Sequence, residues 1–492
     1  MNDLKEKTIR GGVARLCAQG ANFALRIVSL MILARLLDPK DFGLVGMVTA
    51  FTGILALFRD FGLSSASIQR ADVTDEQVST LFWINLVVGA FLGGLAVAMA
   101  PVVAAFYHEP RLSTVTTALA ASFVFNAAGV QHGAILQRQM RFTALAVINT
   151  AGLLVGSLVG IGGALAGYGY WALVAMTIAS PLVISIGFWI ASGWIPGKPS
   201  RNADIHSLMR FGGTLTLNSL VAYVAFNLEK VMLGRYWGAD AIGIYGRAYQ
   251  LANIPTDNLN GAVGEVAFSA LSRLQNEPAR LKSYFLKGYS LVVAMTIPIT
   301  LGCGLFANDI ILAFLGPKWR EASAIFRLLS PTMLIFAIIN PLGWLLFSLG
   351  MVNRSLKMAL VFAPTIILGC FIGLPYGPKG VASAYSLVMA SWIVPFVMWA
   401  VHGTIIRPRD IVSAVSRPLA AGVIAGGLTY LLTISVGQFL SPLPKVALEI
   451  IGLLGIYLGI LLVATGQSSV YRDVLRGLKW NTSVKGEEPA SA

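Results

Sequence analysis

Long apolar segments recur along the whole chain, and they constrain its fold more than any other feature. An α-helix needs about 20 apolar residues to cross a hydrocarbon core about 30 Å thick. Only 12% of the residues are charged, whereas roughly a quarter are charged in soluble proteins. The sequence therefore predicts an all-α polytopic membrane protein without a large soluble domain.

Hydropathy and helix-breaking residues predict about fourteen transmembrane helices. The predicted spans are 12–36, 43–61, 79–105, 112–135, 143–166, 170–193, 208–235, 242–269, 284–306, 322–349, 357–376, 380–402, 416–436 and 446–466.

The basic residues indicate how the spans are oriented. Alternate connections hold 22 Lys and Arg residues on one side and eight on the other. Because short loops rich in Lys and Arg stay cytoplasmic, we expect both termini in the cytoplasm. The N-terminus lacks a cleavable signal pattern and is interpreted as leading into a retained first helix. The net charge of +14 thus reflects membrane topology, and no nucleic-acid partner is expected.

An internal repeat indicates the domain organisation. The segments ARLLDPKDFGLVG (34–46) and GRYWGADAIGIYG (234–246) align without gaps and share an Arg and two Gly residues. Six helices separate these two hairpin turns, so the halves should share one orientation about an axis along the membrane normal. We therefore predict two six-helix lobes related by a pseudo-two-fold axis, at 1–195 and 196–405, followed by an appended helix pair (406–470) and a cytoplasmic tail (471–492).

No motif of an enzyme is present. The sequence has no GxxxxGK[ST], HExxH or GxSxG pattern, and its four His residues are scattered. The three Cys residues lie in apolar stretches without metal-ligand spacing. We therefore expect no catalytic residue, no metal and no cofactor. A transporter is the class that remains.

Polar side chains form a stripe along the first span. They recur at helical spacing and share one face, which comprises Arg15, Gln19, Asn22 and Arg26. An Arg near the bilayer centre costs about 2.5–3.5 kcal/mol on insertion scales, so Arg26 should face protein, water or an anionic ligand. Pairing with a carboxylate is the alternative, and Asp60 is a candidate partner for Arg15.

Spans seven and eight carry similar polar faces. Their candidate cavity residues are Tyr223, Asn227, Lys230, Tyr245, Tyr249, Asn253 and Asn260. Facing the first span across the lobe interface, they would line a wet central cavity that binds substrate. Ordinary hydrogen bonding between helices remains the alternative, at about 0.6 kcal/mol per contact.

Several segments resemble one family. LARLLDPKDFGLVGM, FGLSSASIQRADVTDEQVSTLFWINL, AILQRQMRF and LGRYWGADAIGIYGRAYQLANIPTDNL are similar to the polysaccharide transporter branch of the multidrug/oligosaccharidyl-lipid/polysaccharide exporter superfamily, especially its colanic-acid-exporter-like flippases. The resemblance covers about twelve spans and is densest in the first 270 residues. It implies two six-helix lobes around a cationic central cavity.

The resemblance also implies a function. It predicts a flippase that moves undecaprenyl-diphosphate-linked oligosaccharide repeat units across the bacterial inner membrane by alternating access, for exopolysaccharide or lipopolysaccharide biosynthesis. Its partners would be the lipid-linked oligosaccharide, membrane lipids, and candidate polymerase and chain-length machinery. A cation-coupled multidrug exporter of the same superfamily and a non-transporting scaffold of a glycan-assembly complex are the alternatives.

Overall fold

A computed structural model describes residues 20–58, 74–199, 206–437 and 440–463, apart from some side chains, among them those of 206–219 and 256–263. The helices are α1 (20–36), α2 (Pro39–Leu57), α3 (Asp75–Tyr107), α4 (Arg111–Arg138), α5 (Phe142–Leu165), α6 (Tyr170–Ser192), α7 (His206–Arg273), α8 (Pro278–Leu305), α9 (Ala307–Phe314), α10 (Ala322–Ser348), α11 (Val352–Gly373), α12 (Gly377–Val401), α13 (Pro408–Val436) and α14 (Pro442–Val463), with 3₁₀ turns at Pro317–Trp319 and Leu374–Tyr376.

The chain is a multi-pass membrane protein. Ten segments of the described residues are long and apolar enough to cross a membrane, and one of them, Asn353–Val401, contains both α11 and α12. Each of the fourteen predicted spans overlaps a helix, and the described ranges contain no β-strand. The predicted all-α polytopic fold is confirmed.

The long helix α7 corresponds to two predicted spans. Its backbone leaves helical geometry at Gly238, where φ is 80° and ψ is −173°. Glycine has no Cβ and adopts a positive φ without strain, so it suits this point. The chain thus turns between the predicted spans seven and eight without a separate loop.

Local signals explain where several helices begin. Pro39 and Pro408 occupy the first turns of α2 and α13, where a missing N–H costs no hydrogen bond. The Asp41 carboxylate accepts a hydrogen bond from the Asp38 backbone N–H (3.1 Å), and that of Asp410 accepts one from Arg407 N–H (2.8 Å). These contacts satisfy backbone groups that a helix start leaves unpaired.

Contacts divide the chain into two compact units. Unit 1 comprises Met1–Gly246, Phe314–Trp319 and Leu374–Val381, and unit 2 comprises the remaining residues. In unit 1, α4 packs against α3 and α6, and α5 packs against α6. In unit 2, α8 packs against α10 and α13, around a core that includes the buried Tyr289 and Tyr457. The predicted lobe boundaries at 195, 405 and 470 stay predictions.

Candidate substrate-binding site

The two repeated hairpins contact each other within unit 1. A methyl group on Gly43 would lie 1.8 Å from the carbonyl oxygen of Ala239, and one on Gly243 would lie 1.9 Å from that of Pro39. Positions 39 and 43 correspond to 239 and 243 in the alignment of the repeat. The contact is therefore reciprocal, as expected when equivalent surfaces meet across a two-fold axis. The repeated sequence therefore corresponds to a contact that the two hairpins make with each other.

The turn at Pro317–Trp319 fastens the first hairpin. The Trp319 indole N–H donates to the Ala34 carbonyl (2.7 Å), and its ring meets that of Phe42 edge-on at 5.3 Å. The Lys318 ammonium lies 2.7 Å from the Asp38 carboxylate. Trp319 is fully buried, so these contacts hold residues nearly 300 positions apart in the chain.

The second hairpin has comparable attachments. The guanidinium of Arg235 lies 2.7 Å from Nδ1 of His108 and 5.7 Å from the centre of the Phe106 ring. The Trp237 indole donates to the carbonyl of Leu374 (2.8 Å). Each hairpin is thus bound at its turn by a loop from elsewhere in the chain, so this end of unit 1 is tightly closed.

The loop that carries His108 is itself ordered by an ion pair. Arg111 donates two hydrogen bonds of 2.8 Å to the Glu109 carboxylate. The hydrogen bonds from this guanidinium hold the pKa of Glu109 below its ordinary value. Glu109 therefore stays ionised and fixes the turn between α3 and α4.

The polar face of α7 forms a connected network in unit 1. Tyr223 lies near two carbonyls of α2 and donates to that of Ala50 (3.1 Å). Asn227 donates to the carbonyl of Tyr223 (3.0 Å), and its own oxygen accepts a hydrogen bond from the Lys230 ammonium (2.8 Å). Three predicted binding residues are thus brought together on one helix face.

Close packing lets Tyr223 reach α2. A methyl group on Gly53 would lie only 2.0 Å from the Tyr223 hydroxyl oxygen. Because Gly53 has no side chain, the Tyr223 phenol fits against it. The Tyr223 hydroxyl then forms a hydrogen bond between α7 and α2. For Tyr223, hydrogen bonding between helices is observed, and a contact with substrate stays a prediction.

Glu229 joins this network, although it was not among the predicted binding residues. Its carboxylate is 2% exposed and lies 3.9 Å from the Lys230 ammonium. No described residue donates a hydrogen bond to either of its oxygens. The sequence contained a signal for this pair, because Glu229 directly precedes Lys230 in an apolar span. Opposite charges side by side reduce the cost of burying either one.

The polar face of α1 differs in character. The Arg26 side chain is exposed and forms no ion pair with any described residue. Asn22 is half-buried, and its buried Oδ1 accepts no hydrogen bond from the described part of the chain. Arg15 and Gln19 lie outside the described residues. Within the described residues, Arg26 therefore lacks a carboxylate partner, and its contact with substrate stays a prediction.

The remaining predicted residues follow Gly238 in α7. Tyr245 is fully buried in unit 1. Tyr249 and Asn253 are half-buried in unit 2, where the Tyr249 ring meets that of Tyr385 edge-on at 6.3 Å. The side chain of Asn260 lies outside the description. Substrate contact by these four residues stays a prediction.

Curated relatives act in the assembly of several polymers, according to their names. The chain is 28% identical over 395 residues to the lipopolysaccharide biosynthesis protein WzxC of Escherichia coli (strain K12), covering 78% of this chain and 79% of that protein. It is 28% identical over 446 residues to the teichuronic acid biosynthesis protein TuaB of Bacillus subtilis (strain 168), covering 83% and 91%. It is 26% identical to the succinoglycan biosynthesis transport protein ExoT of Rhizobium meliloti (strain 1021), covering 63% and 62%.

Solved structures share the fold. The inward closed conformation of the lipid II flippase MurJ matches with a TM-score of 0.72 at 15% identity, covering 94% of this chain and 100% of that one. An inward-facing MATE family multidrug resistance transporter matches with a TM-score of 0.64 at 15% identity, covering 82% and 98%. Residues 32–324 match the family described as polysaccharide biosynthesis protein. The chain belongs to the polysaccharide biosynthesis protein family.

Proposed function

We propose that this chain is a flippase for lipid-linked oligosaccharides. It moves undecaprenyl-diphosphate-linked repeat units from the cytoplasmic to the periplasmic leaflet of a bacterial inner membrane, for exopolysaccharide or lipopolysaccharide assembly. The observation that carries this proposal is the family match over residues 32–324, together with relatives named for polysaccharide biosynthesis and transport. The fold shared with MurJ supports it.

The charges suit a diphosphate. A diphosphate needs cationic donors in a region of low dielectric constant, where Arg and Lys form charge-assisted hydrogen bonds. Arg26 is exposed on α1, and the Lys230 ammonium is only partly buried. We assign these two side chains to the diphosphate. Asn22 supplies a neutral polar group for sugars.

The closed hairpin end supports alternating access. Such a mechanism requires an end of the transporter that is sealed in one state and separated in another. The Gly43 and Gly243 contacts close the end that the distribution of basic residues assigns to the periplasm, and the exposed Lys318–Asp38 ion pair lies at the same hairpin. Separation of the two hairpins would release the substrate there. Both termini would then lie in the cytoplasm. Polymerase and chain-length machinery are the proposed protein partners.

A cross-link tests whether this end must open. Asp38→Cys and Lys318→Cys replace two exposed side chains in ion-pair contact, in a background in which Cys17, Cys303 and Cys370 are changed to Ser. A short thiol-reactive cross-linker should abolish polymer export, and cleavage of the linker should restore it. Glu277→Cys with Arg280→Cys is the matched control, because that exposed ion pair lies within one turn and away from the hairpins. Full export by the cross-linked chain would exclude this gate.

A reconstituted assay separates the flippase from its alternatives. Proteoliposomes with a fluorescent lipid-linked sugar should show faster leaflet exchange than protein-free vesicles. A scaffold would leave exchange unchanged. A multidrug exporter would instead raise resistance to cationic drugs in an overexpressing strain.

A further inference from the structure

A buried carboxyl on α14 lies outside the residues assigned to transport. Glu449 is 0% exposed, and neither of its oxygens accepts a hydrogen bond from a described residue. Its charged neighbours, also in unit 2, are Asp309 near the start of α9 and Lys445, one turn earlier on α14. A buried carboxylate without hydrogen bonds is costly, so Glu449 needs either a cation or a proton.

The ammonium of this cluster already has a partner. Lys445 Nζ lies 3.0 Å from Oδ2 of Asp309, and no ion pair joins Lys445 to Glu449 within the described ranges. Asp309 also lies in the first turn of α9, where the helix dipole favours a negative charge. Asp309 is therefore the carboxyl that stays ionised, and Glu449 is left without a counter-charge.

Within the described chain, no other cation reaches Glu449 from the helices packed against α14. These helices are α13 and α8. Their charged residues all lie in the halves of the two helices far from Glu449, namely Arg280, Lys282 and Lys287 in α8 and Arg409, Asp410 and Arg417 in α13. The titratable side chains of the nearer halves are Cys303 and Tyr430, a thiol and a phenol. Asp309 and Lys445 are thus the charged groups that act on Glu449.

A proton suits this place better than a metal ion. The Glu449 oxygens are closed off from solvent, so a hydrated ion has no path to them. A proton needs no cavity, and it can pass from water through the Asp309 carboxyl, which is 22% exposed and within hydrogen-bonding reach of Glu449. Adjacent carboxyls can share one proton, because the charge of the first opposes ionisation of the second.

We propose that Asp309, Lys445 and Glu449 form a proton-binding site. The protonated Glu449 donates a hydrogen bond to the Asp309 carboxylate, which also accepts one from the Lys445 ammonium. The cluster is then neutral and holds α14 to α9. It lies at the end that the distribution of basic residues assigns to the periplasm, so the attachment of α14 responds to the pH there. The site does not rest on the flippase function, because none of these residues takes part in the proposed transport.

Infrared difference spectra of the purified full chain test whether Glu449 is protonated. At neutral pH, the difference between wild type and Glu449→Gln should contain the C=O stretching band of a protonated carboxyl, and this band should shift in D₂O. Glu277→Gln is the matched control and should remove no such band, because Glu277 is exposed and paired with Arg280. Absence of the band from the Glu449 difference spectrum would overturn the proposal.

A second variant tests whether the two carboxyls share the proton. In Asp309→Asn, Lys445 loses its anion and becomes the counter-ion of Glu449. Glu449 should then ionise, and its protonated band at neutral pH should disappear although the residue is still present. Persistence of the band would show that burial alone protonates Glu449, which contradicts a shared site. If Asp309→Asn does not fold, the Glu449→Gln spectrum decides.

Thermal unfolding measured against pH shows what the proton contributes. The folded chain holds a proton that the unfolded chain releases, so wild-type stability should fall as the pH rises from neutral to alkaline. Glu449→Gln has a neutral side chain at every pH, so its melting temperature should fall by a few degrees less, whereas Glu277→Gln should follow wild type. Equal pH dependence of wild type and Glu449→Gln would contradict the site. Stabilisation by sodium chloride but not choline chloride, lost in Glu449→Gln, would replace the proton with a metal cation.

Discussion

Helices α1 and α7 begin the two copies of the repeat, yet they hold their cations differently. Arg26 on α1 is exposed and forms no ion pair with the described residues, whereas Lys230 on α7 contacts Asn227 and Glu229 of its own helix. The position equivalent to Lys230 is Leu30, which is buried, and the position equivalent to Arg26 is Phe226. The repeat therefore preserves the glycine contact and the shared Arg35 and Arg235, but not the positions of Arg26 and Lys230.

The two copies of the repeat do make the same glycine contact. Gly43→Ala and Gly243→Ala should each destabilise the protein by about 1–3 kcal/mol, because either methyl group would overlap a backbone oxygen. Both variants should also lose most polymer export. Thermal unfolding in detergent and cell-surface polymer measure the two effects.

Gly246→Ala is the control, since nothing lies within 4 Å of its added methyl group. It should be neutral or slightly stabilising, as Ala favours a helix over Gly. Damage from only one of the two contact variants would show that the reciprocal contact is not energetically symmetric.

Reversing the charge of Arg26 sharpens the difference between α1 and α7. Arg26→Glu should abolish polymer export by repelling a diphosphate, while the exposed side chain leaves insertion and thermal unfolding unchanged. Arg26→Lys should retain part of the activity. Polymer export is measured together with the amount of protein in the membrane, which separates a loss of transport from a loss of insertion. Normal export by Arg26→Glu would show that Arg26 does not contact the substrate.

Neutralising Lys230 should affect stability as well as export, because its charge also serves the fold. Lys230→Gln leaves the buried Glu229 carboxylate without its cation, at a cost of about 1–3 kcal/mol. Thermal unfolding checks this effect against Lys318→Gln, which removes an exposed ion pair of little energetic weight. Equal stability of the two variants would contradict a structural role for Lys230.

Much of the fold could be predicted from hydropathy alone. The spans 143–166 and 322–349 correspond to Phe142–Leu165 and Ala322–Ser348. The span predicted at 416–436 begins earlier, at Pro408, because Asp410 caps a polar first turn that an apolar window does not include. The short helix Ala307–Phe314 was missed, since eight residues are too few to cross a membrane.

Less of the candidate site could be predicted. Helical spacing identified Tyr223, Asn227 and Lys230 as one face, and the structure joins them by hydrogen bonds. Spacing did not indicate that the Tyr223 hydroxyl would reach carbonyls of α2. It also missed Trp319, whose indole binds the carbonyl of Ala34.

The sequence by itself determined the all-α polytopic fold and the order of its apolar segments, because hydropathy is a sum over neighbouring residues. It also showed the internal repeat. Only the tertiary structure decided that Gly43 meets Ala239 while Gly243 meets Pro39. The tertiary structure also decided that Lys230 is held by its own helix while Arg26 is exposed. The glycine contacts depend on two backbones 200 residues apart approaching within van der Waals distance, and no local pattern in the chain encodes that distance.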